Sequence, residues 1–424
     1  MTFVERTTPD AWKQVALISL GGFFEFYDIF FTGYIAPGLV RSGVLAPTTP
    51  GLFGSTGIAG FVAAMFSGLF IGTALVSFAA DRFGRRTIFT YSLLWYTIAS
   101  VSMAFQHDVF GLNLWRFLSG IGVGVELVTI DTYLAELVPA NLRGRAFAIN
   151  QTIQFCAVPV VAFLAWILVP RAPLGLDGWR WVVLLGASGA ILVWWIRRRV
   201  PESPRWLAEH ARDKQAPLRP AARGSFREMW QAPYCTRSIM LIVFHVFQTA
   251  GFYGFSNWVP TLLIQRGIAV TSSLRYTFLI AIAAPFGPLL AAAIADRMER
   301  KWQIVLAAGA IAVCGLLFAQ MNAAAWLIFY GVLLTLANNI LSFSCHAYQA
   351  ELYPTRIRAL AVGFVYSWSR ISVVFSSFVI AFFLERFGVP GVFAFIAGSM
   401  LMVMLAIGLL GPRTSNLALE TISQ

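Results

Sequence analysis

Charge is what this chain has least of. Charged residues make up 12% of it and hydrophobic residues 58%, a balance that excludes an ordinary soluble domain. The sequence also lacks a phosphate loop of the G-x-x-x-x-G-K-S/T type, a G-x-S-x-G turn and an H-E-x-x-H zinc motif. These absences predict a protein that is not an enzyme, needs no cofactor or metal, and does not pump with ATP on its own.

Cysteine is scarce as well. Cys156, Cys235, Cys314 and Cys345 show neither metal-ligand spacing nor an obvious disulfide pair. The net charge of +12 would suit a nucleic-acid partner, but most of the 31 lysines and arginines would face one side of a membrane. This bias predicts topology instead, with both termini in the cytoplasm and no nucleic-acid binding.

Long apolar runs are what the chain has in abundance. A helix needs about 20 apolar residues to cross a bilayer, and continuous runs favour helices over a barrel. The polar stretch 200–236 predicts a cytoplasmic linker between an N-terminal six-helix bundle, 1–199, and a C-terminal one, 237–424. We therefore expect an all-α membrane protein with twelve transmembrane helices, at 14–40, 54–80, 87–107, 111–136, 144–170, 179–199, 237–265, 274–295, 302–321, 324–349, 359–384 and 390–411.

Two charged signatures each occur twice, separated by the same interval. The first signature is Asp81-Arg82-Phe83-Gly84-Arg85-Arg86, and its second copy is Asp296-Arg297-Met298-Glu299-Arg300-Lys301. The second signature is Tyr133-x-Ala135-Glu136-Leu137, followed by Arg143. Its second copy is Tyr348-x-Ala350-Glu351-Leu352, followed by Arg358. Repeated six-helix units are how one class of membrane transporter places its substrate site at a repeat interface.

At these residues the chain resembles the major facilitator superfamily, over nearly its whole length. The loop at Asp81 is similar to that family's loop between helices 2 and 3, although Ser77 stands where a Gly is usual. The second copy is weaker, because Glu299 replaces Gly84. Arg116 begins a stretch that resembles the R-x-x-x-G-x-G-x-G pattern of helix 4. The resemblance implies a secondary carrier that works by alternating access.

Two further motifs point to different substrates. Residues 201–207, P-E-S-P-R-W-L, resemble the segment after helix 6 in sugar porters. Residues 24–28, F-E-F-Y-D, are more similar to helix 1 of proton-coupled metabolite and organic-acid symporters. Sugar or polyol symport and proton-driven drug efflux therefore stay open as alternatives.

Ionised side chains near the middle of a bilayer cost about 2.5–3.5 kcal/mol each on insertion scales, so each needs a reason. Glu25 and Asp28 lie three residues apart, hence on one helical face, and have no acidic counterparts in the second half. They suit a carrier that loads and releases a proton. Arg370 carries a permanent charge and a fork that matches a carboxylate, which favours an organic anion as substrate. A fixed structural pair is the alternative for each.

Other polar side chains complete the predicted site. We expect Glu126, Tyr27, His245 and Gln154 to contact substrate or protons, with ordinary packing as the alternative for each. A gate is expected from charges at helix ends and at repeat-related positions, which can pair in one conformation and separate in another. These are Asp81, Arg85, Arg86, Arg116, Asp131, Glu136, Arg143, Asp296, Arg297, His346, Glu351 and Arg358.

Taken together, the sequence predicts a monomeric carrier in the bilayer of a bacterial inner membrane. Its expected partners are a small-molecule substrate, an organic anion or related metabolite, and protons. A receptor built on a carrier fold is a remote alternative, since a sensor normally needs an added signalling segment.

Overall fold

The structure, a computed structural model, describes residues 8–46, 57–73, 85–138, 143–197, 226–295 and 298–414. In these ranges no strand is present beyond one isolated bridge, and short 3-10 turns lie at Pro173–Gly175 and Phe226–Trp230. Most of the described residues lie in thirteen α-helices, which short turns and loops connect. The helices are α1 Thr8–Arg41, α2 Ile58–Ile71, α3 Arg85–Ala104, α4 Val109–Leu137, α5 Arg143–Phe155, α6 Ala157–Leu168, α7 Gly178–Arg197, α8 Tyr234–Gln265, α9 Val270–Ala281, α10 Phe286–Ala295, α11 Arg300–Gln320, α12 Ala324–Glu351 and α13 Thr355–Leu410.

Proline explains why two predicted segments are each divided into two helices. Proline has no N–H and its ring clashes with the carbonyl four residues earlier. Pro159 therefore ends α5 at Phe155, inside predicted segment 144–170. In the same way Pro285 ends α9 at Ala281, inside predicted segment 274–295.

The last two predicted segments are joined in one long helix. α13 runs for 56 residues but bends at Gly388, where φ is 66° and ψ is −164°. Such a backbone conformation is available mainly to glycine. Pro390, two residues later, removes a further backbone donor. The bend separates the stretches predicted as 359–384 and 390–411.

The surface and the interior have the polarity of a membrane protein. Eight helical stretches among the described residues are long and apolar enough to cross a bilayer. Large apolar side chains such as Phe110, Phe375 and Leu409 point outward. Buried charged side chains lie inside, among them Glu25 and Arg370. The all-α, multi-pass membrane fold is thus confirmed.

Close helix crossings use glycine, as small residues allow membrane helices to approach. A side chain at Gly120 of α4 would overlap the backbone of Met65 in α2. Gly33 of α1 lies against the backbone of Asn257 in α8, so the two halves of the chain touch there. Helices α2 and α13, and α6 and α9, also meet between the halves. Most of the predicted linker 200–236 lies outside the described residues, so the division into two bundles stays a prediction.

Candidate functional site

A cavity of about 560 Å³ lies between helices from the two halves of the chain. Its volume is in the range of small-molecule sites, which is roughly 300–1,000 Å³. Aromatic side chains form much of its wall, and polar side chains from both halves of the chain complete it. The aromatic residues are Phe26, Phe30, Phe155, Phe244, Phe252, Tyr253 and Tyr366; the polar ones include Gln151, Gln154, Gln248, His245, His346, Gln349 and Arg370.

Arg370 supplies the fixed charge of this cavity. Its side chain is buried, and its two terminal nitrogens donate to Tyr253 Oη at 2.9 Å and Tyr366 Oη at 2.8 Å. The guanidinium also lies over the Tyr366 ring, 4.8 Å from its centre. No Asp or Glu is present among the described residues that line the cavity. Glu25 lies within electrostatic range of Arg370 but is not part of that lining. The described part of the cavity wall is therefore positively charged and suited to an anion.

Two histidines lie beside Arg370. His245 Nε2 is 2.9 Å from Gln349 Oε1, and His346 Nδ1 is 2.7 Å from the carbonyl oxygen of Ser342. Both imidazole rings contact the Tyr366 ring edge-on, with centres 5.3 Å apart in each case. This polar wall is built from α8, α12 and α13.

A second polar cluster is buried within the first half of the chain. Arg116 in α4 pairs with Asp28 in α1, with Nη1 2.8 Å from Oδ2. Ser100 donates to Asp28 Oδ1 at 2.7 Å, and Ser119 donates to Oδ2 at 3.1 Å. The other nitrogen of Arg116 donates to the Asp28 carbonyl oxygen at 2.5 Å and to Thr32. Every Asp28 carboxylate oxygen thus has a donor.

The Asp28–Arg116 pair lies apart from the large cavity. Neither residue lines it, and Asp28 instead borders a separate pocket of about 10 Å³. Arg116, which the sequence predicts as part of the gate, is fully buried in α4 and packs against α1; its gating role stays a prediction. In this pair Asp28 neutralises Arg116 and not Arg370. The physical reason is that α1 and α4 pack together and bring two residues distant in sequence into contact.

The remaining predicted site residues divide into two sets. Gln154 and His245 line the cavity as expected. Glu25 and Glu126 are fully buried but do not line it. Tyr27 does not line it either, and its hydroxyl donates to the Val182 carbonyl oxygen at 2.7 Å, which joins α1 to α7.

Most of the predicted gate cannot be located. Asp81, Asp296 and Arg297 lie outside the described residues, as do the side chains of Arg85, Arg86, Asp131, Glu136, Arg143 and Arg358. Besides Arg116, two members are described. Glu351 forms an ion pair with Arg300, inside the second half of the chain. His346, predicted as a gate residue because it corresponds to Asp131 in the repeat, lines the cavity. The gate as a whole stays a prediction.

The two ends of the cavity differ. Its lining extends to Ala350, Val362 and Gly363, where α12 ends and α13 begins. At the other end, Phe155 and Phe252 pack edge to face, with ring centres 6.3 Å apart. Beyond these rings lies a pocket of about 30 Å³, beside Tyr34. The cavity thus extends toward one end of the molecule.

Several residues of the site were not singled out from the sequence. Tyr366 binds Arg370 from the preceding turn of α13, and an i, i+4 search around each buried charge would have found it. Ser119 lies three residues after Arg116, so a search one helical turn from each buried charge would also have found it. Ser100 has no such signal, because its contact with Asp28 depends on how α1 and α3 pack.

Comparison with known proteins gives consistent matches over the whole chain. The family model described as Major Facilitator Superfamily matches residues 18–338 and 277–421. The putative metabolite transport protein YyaJ of Bacillus subtilis is 30% identical over 93% of this chain and 90% of that protein. The niacin transporter NiaP of Acinetobacter baylyi is 28% identical over 96% of this chain and 95% of that protein. The xylose transporter XylE from E. coli, in a partially occluded inward-open conformation, superposes with a TM-score of 0.79 at 20% identity over 97% of this chain and 100% of that one.

Proposed function

Since the chain belongs to the Major Facilitator Superfamily, we propose that it imports a small organic acid together with protons, by alternating access across a bacterial inner membrane. Membership makes the protein a multi-pass membrane transporter and not an enzyme. The proposal concerns its substrate, its coupling ion, its direction and its membrane.

Arg370 carries the choice of substrate. A buried guanidinium whose donors reach two tyrosine hydroxyls keeps its full charge, which an incoming carboxylate can neutralise. With no Asp or Glu among the described lining residues, a cationic ligand would gain nothing from this wall. A neutral sugar would need hydrogen-bonding groups but no buried cation. The relative named as a niacin transporter also supports a small metabolite.

Asp28 is the group we assign to proton coupling. In its ionised form it accepts from Arg116, Ser100 and Ser119, which together join α1 to α3 and α4. Protonation would remove the ion pair and weaken this connection. Phe26 and Phe30, on the same helix α1, form part of the cavity wall. The protonation state of Asp28 therefore biases the position of a helix that contacts substrate.

Uptake into proteoliposomes tests the proposal directly. With an inward proton gradient, the purified protein should accumulate labelled benzoate above its external concentration, and an uncoupler should abolish this accumulation. Benzamide and xylose, which carry no charge, should compete weakly for uptake. Gradient-driven loss of benzoate from loaded vesicles would favour efflux, and xylose accumulation without benzoate transport would favour the sugar alternative.

A further inference from the structure

The polar wall of the cavity contains two hydrogen-bond acceptors that charge recognition by Arg370 does not use. His346 Nδ1 must donate to the carbonyl oxygen of Ser342, because a carbonyl cannot donate. His245 Nε2 donates to Gln349 Oε1 in the same manner. A neutral imidazole has one N–H, so the second nitrogen of each ring is an acceptor. These acceptors are His346 Nε2 and His245 Nδ1.

Neither acceptor receives a hydrogen bond from another side chain or backbone group in the described part of the chain. Both histidines line the cavity, so their second nitrogens are available to a ligand. The two imidazoles and the Arg370 guanidinium all contact one ring, that of Tyr366. A cation and two acceptors are therefore grouped around a single side chain, within the length of one small ligand.

We propose that His245 and His346 make the cavity selective for aromatic carboxylates that also carry ring hydroxyl groups. This inference rests on the proposed function, in which Arg370 binds the carboxylate. A hydroxyl donates to an imidazole acceptor, whereas a methyl group cannot. A ligand without a donor leaves the two nitrogens desolvated and unpaired, which a polar site penalises. Phe26 and Phe252 supply flat apolar surface for the ring.

Matched ligands test the inference on the wild-type protein. Calorimetry on protein in lipid nanodiscs would compare 4-hydroxybenzoate and 3,4-dihydroxybenzoate with benzoate and 4-methylbenzoate. The methyl and hydroxyl groups are similar in size, so their difference isolates the hydrogen bond. We expect the hydroxylated acids to bind about 10-fold more tightly than 4-methylbenzoate. Equal affinities for 4-hydroxybenzoate and 4-methylbenzoate would overturn the inference.

Substitution of His346 tests whether this residue causes the tighter binding of hydroxylated acids, which we call the hydroxyl advantage. His346→Phe keeps a flat ring without the acceptor, and should reduce the hydroxyl advantage to about 3-fold or less while benzoate affinity changes little. His346→Asn restores a side-chain acceptor and should recover part of the advantage. Cys314→Ala, in α11 and away from the residues that line the cavity, is the control and should leave the advantage intact.

The outcomes separate this inference from the function on which it rests. Retained benzoate binding in His346→Phe shows that the variant is folded, and an unchanged hydroxyl advantage in it and in His245→Phe/His346→Phe would overturn the inference alone. If no carboxylate binds the wild-type protein, the proposed function fails and the inference with it. If His346→Phe does not fold, the hydroxyl-to-methyl comparison on the wild-type protein decides.

Discussion

Arg370 is held by neutral groups, and this determines how its substitutions should behave. Two tyrosine hydroxyls orient the guanidinium, so an incoming carboxylate would be its anionic partner in the cavity. Arg370→Ala should abolish binding of benzoate, because the anion would enter a cavity without a compensating charge. Arg370→Lys keeps the charge but loses the bidentate fork, and should weaken benzoate about 10-fold or more while weakening benzamide less.

Calorimetry with benzoate and benzamide checks this prediction. Arg275→Lys, at an exposed position of α9, is the matched control and should bind both ligands as the wild type does. An equal loss of acid and amide in Arg370→Lys would show that the fork does not contact the carboxylate.

Asp28 should be required for a proton gradient to drive accumulation of the substrate against its own concentration gradient. Asp28→Asn keeps the size of the side chain but replaces one of the oxygens that accept from Ser100 and Ser119 with an amide, and it cannot titrate. It should abolish accumulation driven by a proton gradient, while exchange of labelled for unlabelled substrate survives, since exchange need not release the proton. Proteoliposome uptake and counterflow measure the two activities. Asp177→Asn, whose side chain is 44% exposed, is the control.

Wild-type accumulation in Asp28→Asn would place the coupling proton elsewhere, with Glu25 and Glu126 next to be tested. Loss of both activities would instead indicate that the amide disrupts the packing of α1 on α4. A double variant, Asp28→Asn/Arg116→Gln, removes both charges and should then recover folding, because no uncompensated buried charge is left.

The sequence predicts which charged residues are buried better than it predicts which residues they contact. The sequence marks Glu25, Asp28, Glu126 and Arg370 as buried charges because each interrupts an apolar run, and the structure buries all four. It cannot show that Asp28 pairs with Arg116, because this contact depends on how two helices rotate against each other. The pairing of Arg370 with Tyr366 could have been predicted from the sequence, since both residues lie on one face of the same helix.

At the scale of helices, the sequence predicted the positions of the spans better than their continuity. Apolar runs set where a helix crosses the bilayer, and each of the twelve predicted segments overlaps a described helix, the last two overlapping the single helix α13. The breaks before Pro159 and Pro285 follow from missing backbone donors, which hydropathy does not measure. The bend at Gly388 likewise depends on one residue's backbone conformation.

The crossing of α2 and α4 should be sensitive to added volume. Gly120 has no room for a methyl group, because the backbone of Met65 and Gly68 lies against it. Gly120→Ala should lower the free energy of unfolding by about 1–3 kcal/mol, as overpacking does in a close-packed interior. Gly398→Ala is the matched control, because open space surrounds that position within its helix. Thermal unfolding in one detergent compares the two, and equal melting temperatures would contradict the tight crossing.

At the scale of the whole molecule, the described lining of the cavity extends toward one end. It reaches the ends of α12 and α13, while Phe155 and Phe252 lie across the opposite end. If the predicted topology holds, with both termini in the cytoplasm, the cavity faces the cytoplasm. A transporter that alternates must also have a state in which the opposite end opens and this one closes.

Cysteine labelling tests topology and alternation together. In a background without native cysteine, Gly363→Cys should react with an impermeant maleimide in inside-out vesicles and not in right-side-out ones, because Gly363 lines the open end and has free space around it. Ser256→Cys, in the small pocket beyond the phenylalanines, should react only from the outside and only when the protein turns over. A bound acid should slow the labelling of Gly363→Cys. If Gly363→Cys reacts only in right-side-out vesicles, the predicted topology is wrong and this end of the cavity faces the outside. If Ser256→Cys never reacts during transport, the phenylalanine end does not open and the cavity does not alternate.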